Sequence, residues 1–253
     1  MSAPEIRALW SVDAGQTPGA PLGDDALTRC YARPAAPTLR VNFVTSVDGA
    51  VEVEGYSEGL SGAADKRVFG LLRKLCDGLL VGAGTLRHEG YGPVRLDAER
   101  RAWRRDAGLP ECPTLVVVSG RLDLDPAARA FTEAPVRPIV LTTATAAPPP
   151  GLTDVADVIR CGEDGVDMPT ALRELHARGL AHLLCEGGPQ LFGTLTAAGL
   201  VDELCLTITP MLTGPGAGRI TSGPHSAGPH GLRLHHALAA DGDVLLLRYT
   251  RAA

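Results

Sequence analysis

Residues 183–193 read LLCEGGPQLFG, and this stretch decides the fold. Three apolar residues run into a carboxylate, Glu186. Then come Gly187-Gly188-Pro189 and apolar residues at helical spacing. A strand that enters a helix through paired glycines leaves backbone N–H groups without partners at the helix start. Those groups and the helix dipole attract anions, so a phosphate is the natural guest. A second strand-to-glycine turn, LLVGAGT, occupies residues 79–85. Two such turns point to one extended ligand that carries phosphates, such as a dinucleotide.

Outward from these turns, strand-like and helix-like segments alternate. Strands are expected at 39–45, 78–81, 115–118, 138–143, 155–159, 182–185, 201–210, 232–235 and 244–249. Helices are expected at 65–76, 95–107, 169–178 and 191–198, with Pro169 opening one of them and Gly179 and Gly199 closing two. This alternation implies an α/β fold with a mixed, mostly parallel central sheet and helices on both faces. The strand-rich tail implies antiparallel strands at one edge. Residues 1–37, rich in Pro, Gly, Ala and Asp, read as an N-terminal arm with a short helix at Asp24–Tyr31. Residues 38–253 read as one domain.

The chain has 253 residues, enough for one large α/β core. Aromatics make up only 4% and the net charge is -5, so neither stacking platforms nor a basic face for nucleic acid is expected. Six cysteines form no C-x-x-C pair and read as buried reduced thiols in a reducing cytoplasm, not as a disulfide framework or zinc site. No basic-then-apolar leader opens the chain, and no apolar run reaches membrane-spanning length. His225, His230, His235 and His236 lack metal-ligand spacing, so no metal is expected. The absence of G-x-S-x-G, H-E-x-x-H and Walker motifs leaves hydrolase, protease and kinase readings without support.

Several residues carry two readings. Asp48, in Ser46-Val47-Asp48-Gly49, is an ordinary turn carboxylate by spacing alone. Its place after a strand also suits a group that holds substrate or moves a proton. Gly82-Ala83-Gly84-Thr85 is half of a dinucleotide fingerprint, with Arg87 where a third glycine would stand. A tight packing turn explains it equally well. Glu186 is a charge at the mouth of an apolar strand and needs a partner there, which points to function. Ser119-Gly120-Arg121 is either a solvated loop or a grip for an adenosine 2′-phosphate, which would select NADPH. Arg100, Arg101, Arg104 and Arg105 alternate with acids and read as a solvated helix face.

Taken in order, VNFVTSVDGA (41–50), LSGAADKRVFGLLRKLCDGLLVGAGT (60–85) and LLCEGGPQLFGTLTAAGLVDELCLTITPMLTGPG (183–216) resemble the reductase domain of riboflavin biosynthesis. The resemblance implies a dihydrofolate-reductase-like fold and NADPH-dependent reduction of 5-amino-6-(5-phosphoribosylamino)uracil. It also implies a homodimer. Cofactor contacts are implied for Gly82, Ala83, Gly84, Thr85, Gly187, Gly188, Pro189, Gln190 and Leu191. Ser119 would hold the adenosine end, and Thr45 and Ser46 would lie beside the nicotinamide. Ser57, Arg73 and Glu186 would hold the phosphoribosyl pyrimidine, with Arg95 as a second candidate for its phosphate and Asp48 near the reacting centre.

The chain departs from the family pattern at Ala50, where a basic or polar residue is usual, and at 87–93, where RHEGYGP replaces the usual D-D-P. It has no H-x-E with P-C-x-x-C deaminase motif, so a stand-alone reductase, or a paralogue with a shifted substrate, is expected. Two rival readings are a reductase of a pteridine such as dihydrofolate and an NADPH-binding protein without catalysis.

Overall fold

The computed structural model describes residues 4–12, 17–224 and 228–252, so His225 lies outside the described residues. Its strands are β1 (Ile6–Ser11), β2 (Thr38–Ser46), β3 (Gly78–Gly82), β4 (Thr114–Val118), β5 (Ile139–Thr142), β6 (Asp157–Arg160), β7 (His182–Cys185), β8 (Glu203–Thr209), β9 (Leu232–Ala240) and β10 (Val244–Arg251). They form one sheet in the order β1-β9-β10-β8-β2-β7-β3-β4-β5-β6. From β8 to β6 every pairing is parallel, while β1, β9 and β10 add antiparallel pairings at the other end. The expected mixed, mostly parallel sheet with an antiparallel edge is therefore present.

The helices are α1 (Asp24–Cys30), α2 (Ala63–Leu75), α3 (Ala83–His88), α4 (Ala98–Asp106), α5 (Arg129–Thr132), α6 (Leu152–Val155), α7 (Met168–Ala177) and α8 (Pro189–Ala197). Local chemistry sets their ends. Asp97 caps α4 by accepting from the Arg100 amide, and Asp167 caps α7 by accepting from the Thr170 amide. The chain leaves α7 through Gly179 at φ 83°, a left-handed position that glycine adopts without strain. Val68, Leu71, Leu72 and Leu75 bring α2 down on one face of the sheet. Met168, Ala171, Leu172 and Leu175 of α7, with Leu191, Phe192 and Leu195 of α8, cover the other.

Four details differ from the expectations. Ile6–Ser11 is not a loose arm segment but pairs with β9 as an edge strand. Residues 82–85, read as a glycine turn, are already the start of a short helix, α3. Val155 ends helix α6, and the strand expected there starts at Asp157. The helix expected at 95–107 starts only at Ala98, where Asp97 caps it.

Candidate active site

β7 lies between β2 and β3, so the carboxyl ends of three parallel strands meet at one edge. After β3 the chain turns into α3, whose Leu86 packs on the α2 face. After β7 it turns into α8, which packs on the opposite face. Adjacent strands that send their helices to opposite faces open a crevice, and ligands of α/β sheets bind there.

The two glycine turns touch across this crevice. The Gly82 amide donates to the Gly187 carbonyl at 2.8 Å. Side chains are excluded at the contact: a Cβ on Gly188 would stand 2.3 Å from Thr85 Oγ1, and one on Gly187 would stand 2.8 Å from the Phe43 ring. Gly187 also has φ 89°, and the Gly187–Gly188 peptide is cis. Gly84 and Gly120 are the opposite case. They line the crevice, and an added Cβ would meet nothing within 4 Å. Bare backbone faces open space at these two points.

The crevice is a cavity of about 1270 Å³. It is bordered by Gly82, Ala83, Gly84 and Thr85, by Gly188, Pro189, Gln190 and Leu191, and by Ser119 and Arg121. Its size exceeds that of an ordinary single-ligand pocket, about 300–1,000 Å³. The start of α8 and the bare glycines fit a diphosphate, and the Ser119 hydroxyl and the Arg121 guanidinium belong to residues that border the same cavity. These residues fit a dinucleotide.

Glu186 lines the cavity and is nearly buried, with 2% of its side chain exposed. Arg73, from α2, donates to it twice, Nε to Oε1 at 2.7 Å and Nη2 to Oε2 at 2.6 Å. Tyr91 donates its hydroxyl to Oε2 at 2.8 Å. Arg73 also lies 4.2 Å from the Phe69 ring centroid, in cation–π contact. Burial works against the Arg73 charge, but the Glu186 carboxylate outweighs it and keeps the guanidinium protonated. Burial, with Glu186 beside it, pushes the Tyr91 hydroxyl well above its ordinary pKa. Arg73 and Glu186 therefore hold each other first, and present one joint polar surface to a ligand. Tyr91 was not singled out in the sequence, where it stands in an irregular glycine-rich segment.

A second buried carboxyl group faces the cavity from the first turn of α2. Asp65 accepts from Ser61 Oγ at 2.5 Å and from Thr207 Oγ1 at 2.6 Å. Burial pushes its pKa up, against the pull of the two hydroxyls. Sequence reasoning missed it as a site residue and took it only as the start of a helix.

Other expected site residues are placed differently. Ser57 lines the cavity, and its amide donates to Glu89 at 3.3 Å. Asp48 does not line the cavity. Its exposed carboxylate accepts from Ser46 Oγ, from the Thr213 amide at 3.1 Å and from the Gly214 amide at 2.9 Å. Those hydrogen bonds, Ser46 first, lower its pKa and tie two loops together. Thr45 and Ser46 are buried beside it and do not border the cavity either. Gly187 stands behind the lining, against Phe43. Arg95 is exposed and outside, held by Glu133 at 3.4 Å. Its place after the cofactor turn suggested a phosphate contact, but the segment carries it away from the crevice.

Among the described residues, no group of three or more His, Cys, Asp and Glu is arranged to hold a metal, and no helix is long and apolar enough to cross a membrane.

Comparison with known proteins gives a consistent picture. The family model described as RibD C-terminal domain matches residues 37–246. The 2,5-diamino-6-ribosylamino-4(3H)-pyrimidinone 5′-phosphate reductase of Methanothermobacter thermautotrophicus is 30% identical over 181 residues, covering 70% of this chain and 80% of that protein. The enzyme of the same name from Archaeoglobus fulgidus is 31% identical over 180 residues, covering 70% and 82%. The crystal structure of a pyrimidine reductase-like protein from Corynebacterium diphtheriae superposes with a TM-score of 0.78 at 28% identity, covering 86% of this chain and 92% of that one. The fold is the dihydrofolate-reductase-like one that the sequence resemblance implied.

Proposed function

The chain belongs to the RibD C-terminal domain family, and from that premise we propose that it reduces a phosphoribosylaminopyrimidine of riboflavin biosynthesis with NADPH. A nicotinamide cofactor follows from membership in this reductase family. The observation that carries the reading is the Gly82–Gly187 contact, which makes one cavity from two glycine turns distant in sequence.

The cofactor supplies a hydride when bound. Gly84, Gly188 and the start of α8 line the cavity and would hold its diphosphate through backbone N–H groups. Ser119 and Arg121 receive the 2′-phosphate that distinguishes NADPH. The substrate reacts in its ring-opened form, with a C1′=N double bond. Reduction of that bond to the ribitylamine needs one hydride at C1′, which the bound cofactor would supply, and one proton at the nitrogen, which water would supply. The Arg73–Glu186–Tyr91 cluster orients the polar sugar chain. Neither Arg73 nor Tyr91 gives up a proton readily, so their contribution is positioning. Lys66, an exposed cation that borders the cavity beside Glu58, meets the 5′-phosphate.

A homodimer is part of the proposal. What supports it is the antiparallel end of the sheet, where Leu9, Trp10 and Val12 stand about half exposed at 47%, 46% and 57%. Such apolar groups on an edge strand suit a second copy of the chain. A cytoplasmic location is supported by six buried cysteines, none of them in a disulfide.

The test is oxidation of NADPH by the purified protein with 2,5-diamino-6-ribosylamino-4(3H)-pyrimidinone 5′-phosphate or with 5-amino-6-(5-phosphoribosylamino)uracil. Turnover of either is expected. No turnover of both would end the proposal, and turnover of dihydrofolate instead would favour a pteridine reductase.

A further inference from the structure

Two walls of the cavity meet through a pair of stacked rings. After β2 the chain makes a tight hairpin at residues 53–56. The Val53 amide donates to the Tyr56 carbonyl at 2.9 Å, and the Tyr56 amide donates back to the Val53 carbonyl at 3.0 Å. Glu54 at φ 53° and Gly55 at φ 86° take the left-handed backbone that a two-residue hairpin turn requires. The tip of this hairpin reaches the end of α3. His88 Nε2 donates to the Gly55 carbonyl at 2.6 Å. The His88 ring stacks on Tyr56, with centroids 4.8 Å apart and planes 13° from parallel. Ser57 is held one step further on, its amide on Glu89 at 3.3 Å. Gly55, Ser57, His88 and Glu89 all border the cavity. Tyr56 is 50% exposed, and His88 is exposed too. The stack is therefore a thin closure, with the cavity on one side and solvent on the other.

A solvent-facing ring pair and one hydrogen bond favour the closed arrangement and are weak enough to part. The closure adjoins the substrate end of the cavity, because Glu58 pairs with Lys66, the cation given to the 5′-phosphate. We propose that Tyr56 and His88 form a clasp that closes residues 53–57 over the bound phosphoribosyl pyrimidine and opens to admit it. Both are positioning residues and act through the placement of Ser57. The inference rests on the reductase reading above. His88 lies in 87–93, where the chain departs from the family pattern, so the family match does not supply it.

The experiment measures kcat, KM for whichever of the two pyrimidines turns over, and NADPH affinity. It does so in wild-type protein, Tyr56→Ala, His88→Ala and Tyr56→Phe. Loss of an exposed ring pair shifts a closing equilibrium by roughly 3- to 10-fold. KM should rise by that factor in both alanine variants, with kcat within roughly 2-fold of wild type and NADPH affinity unchanged. Tyr56→Phe keeps the ring and should match wild type. Unchanged KM in both alanine variants, an equal rise in Tyr56→Phe, or a matching loss of NADPH affinity would overturn the proposal while leaving the reductase reading intact. Failure of the wild type on both pyrimidines would remove the reductase reading, and this inference with it. Should the alanine variants not fold, a protease that cuts after glutamate decides on the wild type. Saturating pyrimidine should slow cleavage after Glu52 and Glu54, and equal cleavage with and without it would overturn the proposal.

Discussion

Arg73 and Glu186 meet in a two-point ion pair at the cavity wall, with contacts of 2.7 and 2.6 Å. One partner comes from a helix and the other from the end of a central strand, so the pair ties α2 to the glycine turn after β7. Glu186→Gln keeps the shape but leaves the guanidinium without its counter-charge. Breaking a fully buried pair costs about 3–5 kcal/mol. Arg73 retains 23% side-chain exposure, so a loss of about 1–3 kcal/mol is expected once solvent screening is counted. Turnover should fall with it while cofactor affinity stays. Thermal unfolding and a cofactor titration check this; unchanged unfolding and unchanged turnover would contradict it.

Asp48 should matter less to the chemistry than its Asp-Gly turn suggests. Its carboxylate is exposed and occupied by Ser46, Thr213 and Gly214. Asp48→Ala is expected to loosen residues 211–214 and keep turnover within roughly 10-fold of wild type, since only surface hydrogen bonds are lost. A well-folded variant with no turnover would return Asp48 to the reacting centre.

His236 should make the protein acid-sensitive. Its ring is buried, packs edge-on to Tyr31 at 4.8 Å, and lies near Arg248, His235, Arg40 and Glu203. Burial, then Arg248, lowers its pKa from 6.5 to about 3. The folded state therefore prefers the neutral ring. That stability is fully present above about 6.5 and drains away as pH falls toward 3, by up to about 1.4 kcal/mol per pH unit. Burial works to raise Glu203, but Arg40 and Arg248 outweigh it and hold the carboxyl below its ordinary range, so Glu203 adds a loss only at lower pH. His236→Phe should flatten the upper part of this window in denaturant titrations. Parallel curves for variant and wild type would refute the assignment.

The exposed edge at Leu9 and Trp10 should seal a dimer. Trp10→Asp is expected to shift the sedimentation coefficient to that of a monomer without loss of secondary structure. A wild type that already sediments as a monomer would argue against this surface.

The sheet was legible because its central strands are short apolar runs, such as Leu79–Val81 and Leu115–Val118, bounded by glycine or proline. The glycine turns were legible for a related reason: backbone approach and left-handed φ are local demands that leave a mark in residue type. Partners were not legible. Asp65 stands among Ala63, Ala64 and Lys66 like any solvated helix start, and only Thr207, far along the chain, makes it a buried group. The hold on Asp48 was legible only in part, because Ser46 is local to its turn while Thr213 and Gly214 are far along the chain. β1 escaped for the same reason, since Ile6 pairs with Ala240 from the other end of the sequence.

The most direct test of the account is NADPH binding to Gly84→Val. Gly84 has open space where a Cβ would stand, and its backbone is not left-handed, so the substitution adds bulk to the cavity without straining the fold. The account predicts an unfolding temperature like that of wild type and NADPH binding weakened by roughly 10-fold or more, about 1.4 kcal/mol. Undiminished NADPH binding by a well-folded Gly84→Val protein would contradict a dinucleotide held between the two glycine turns.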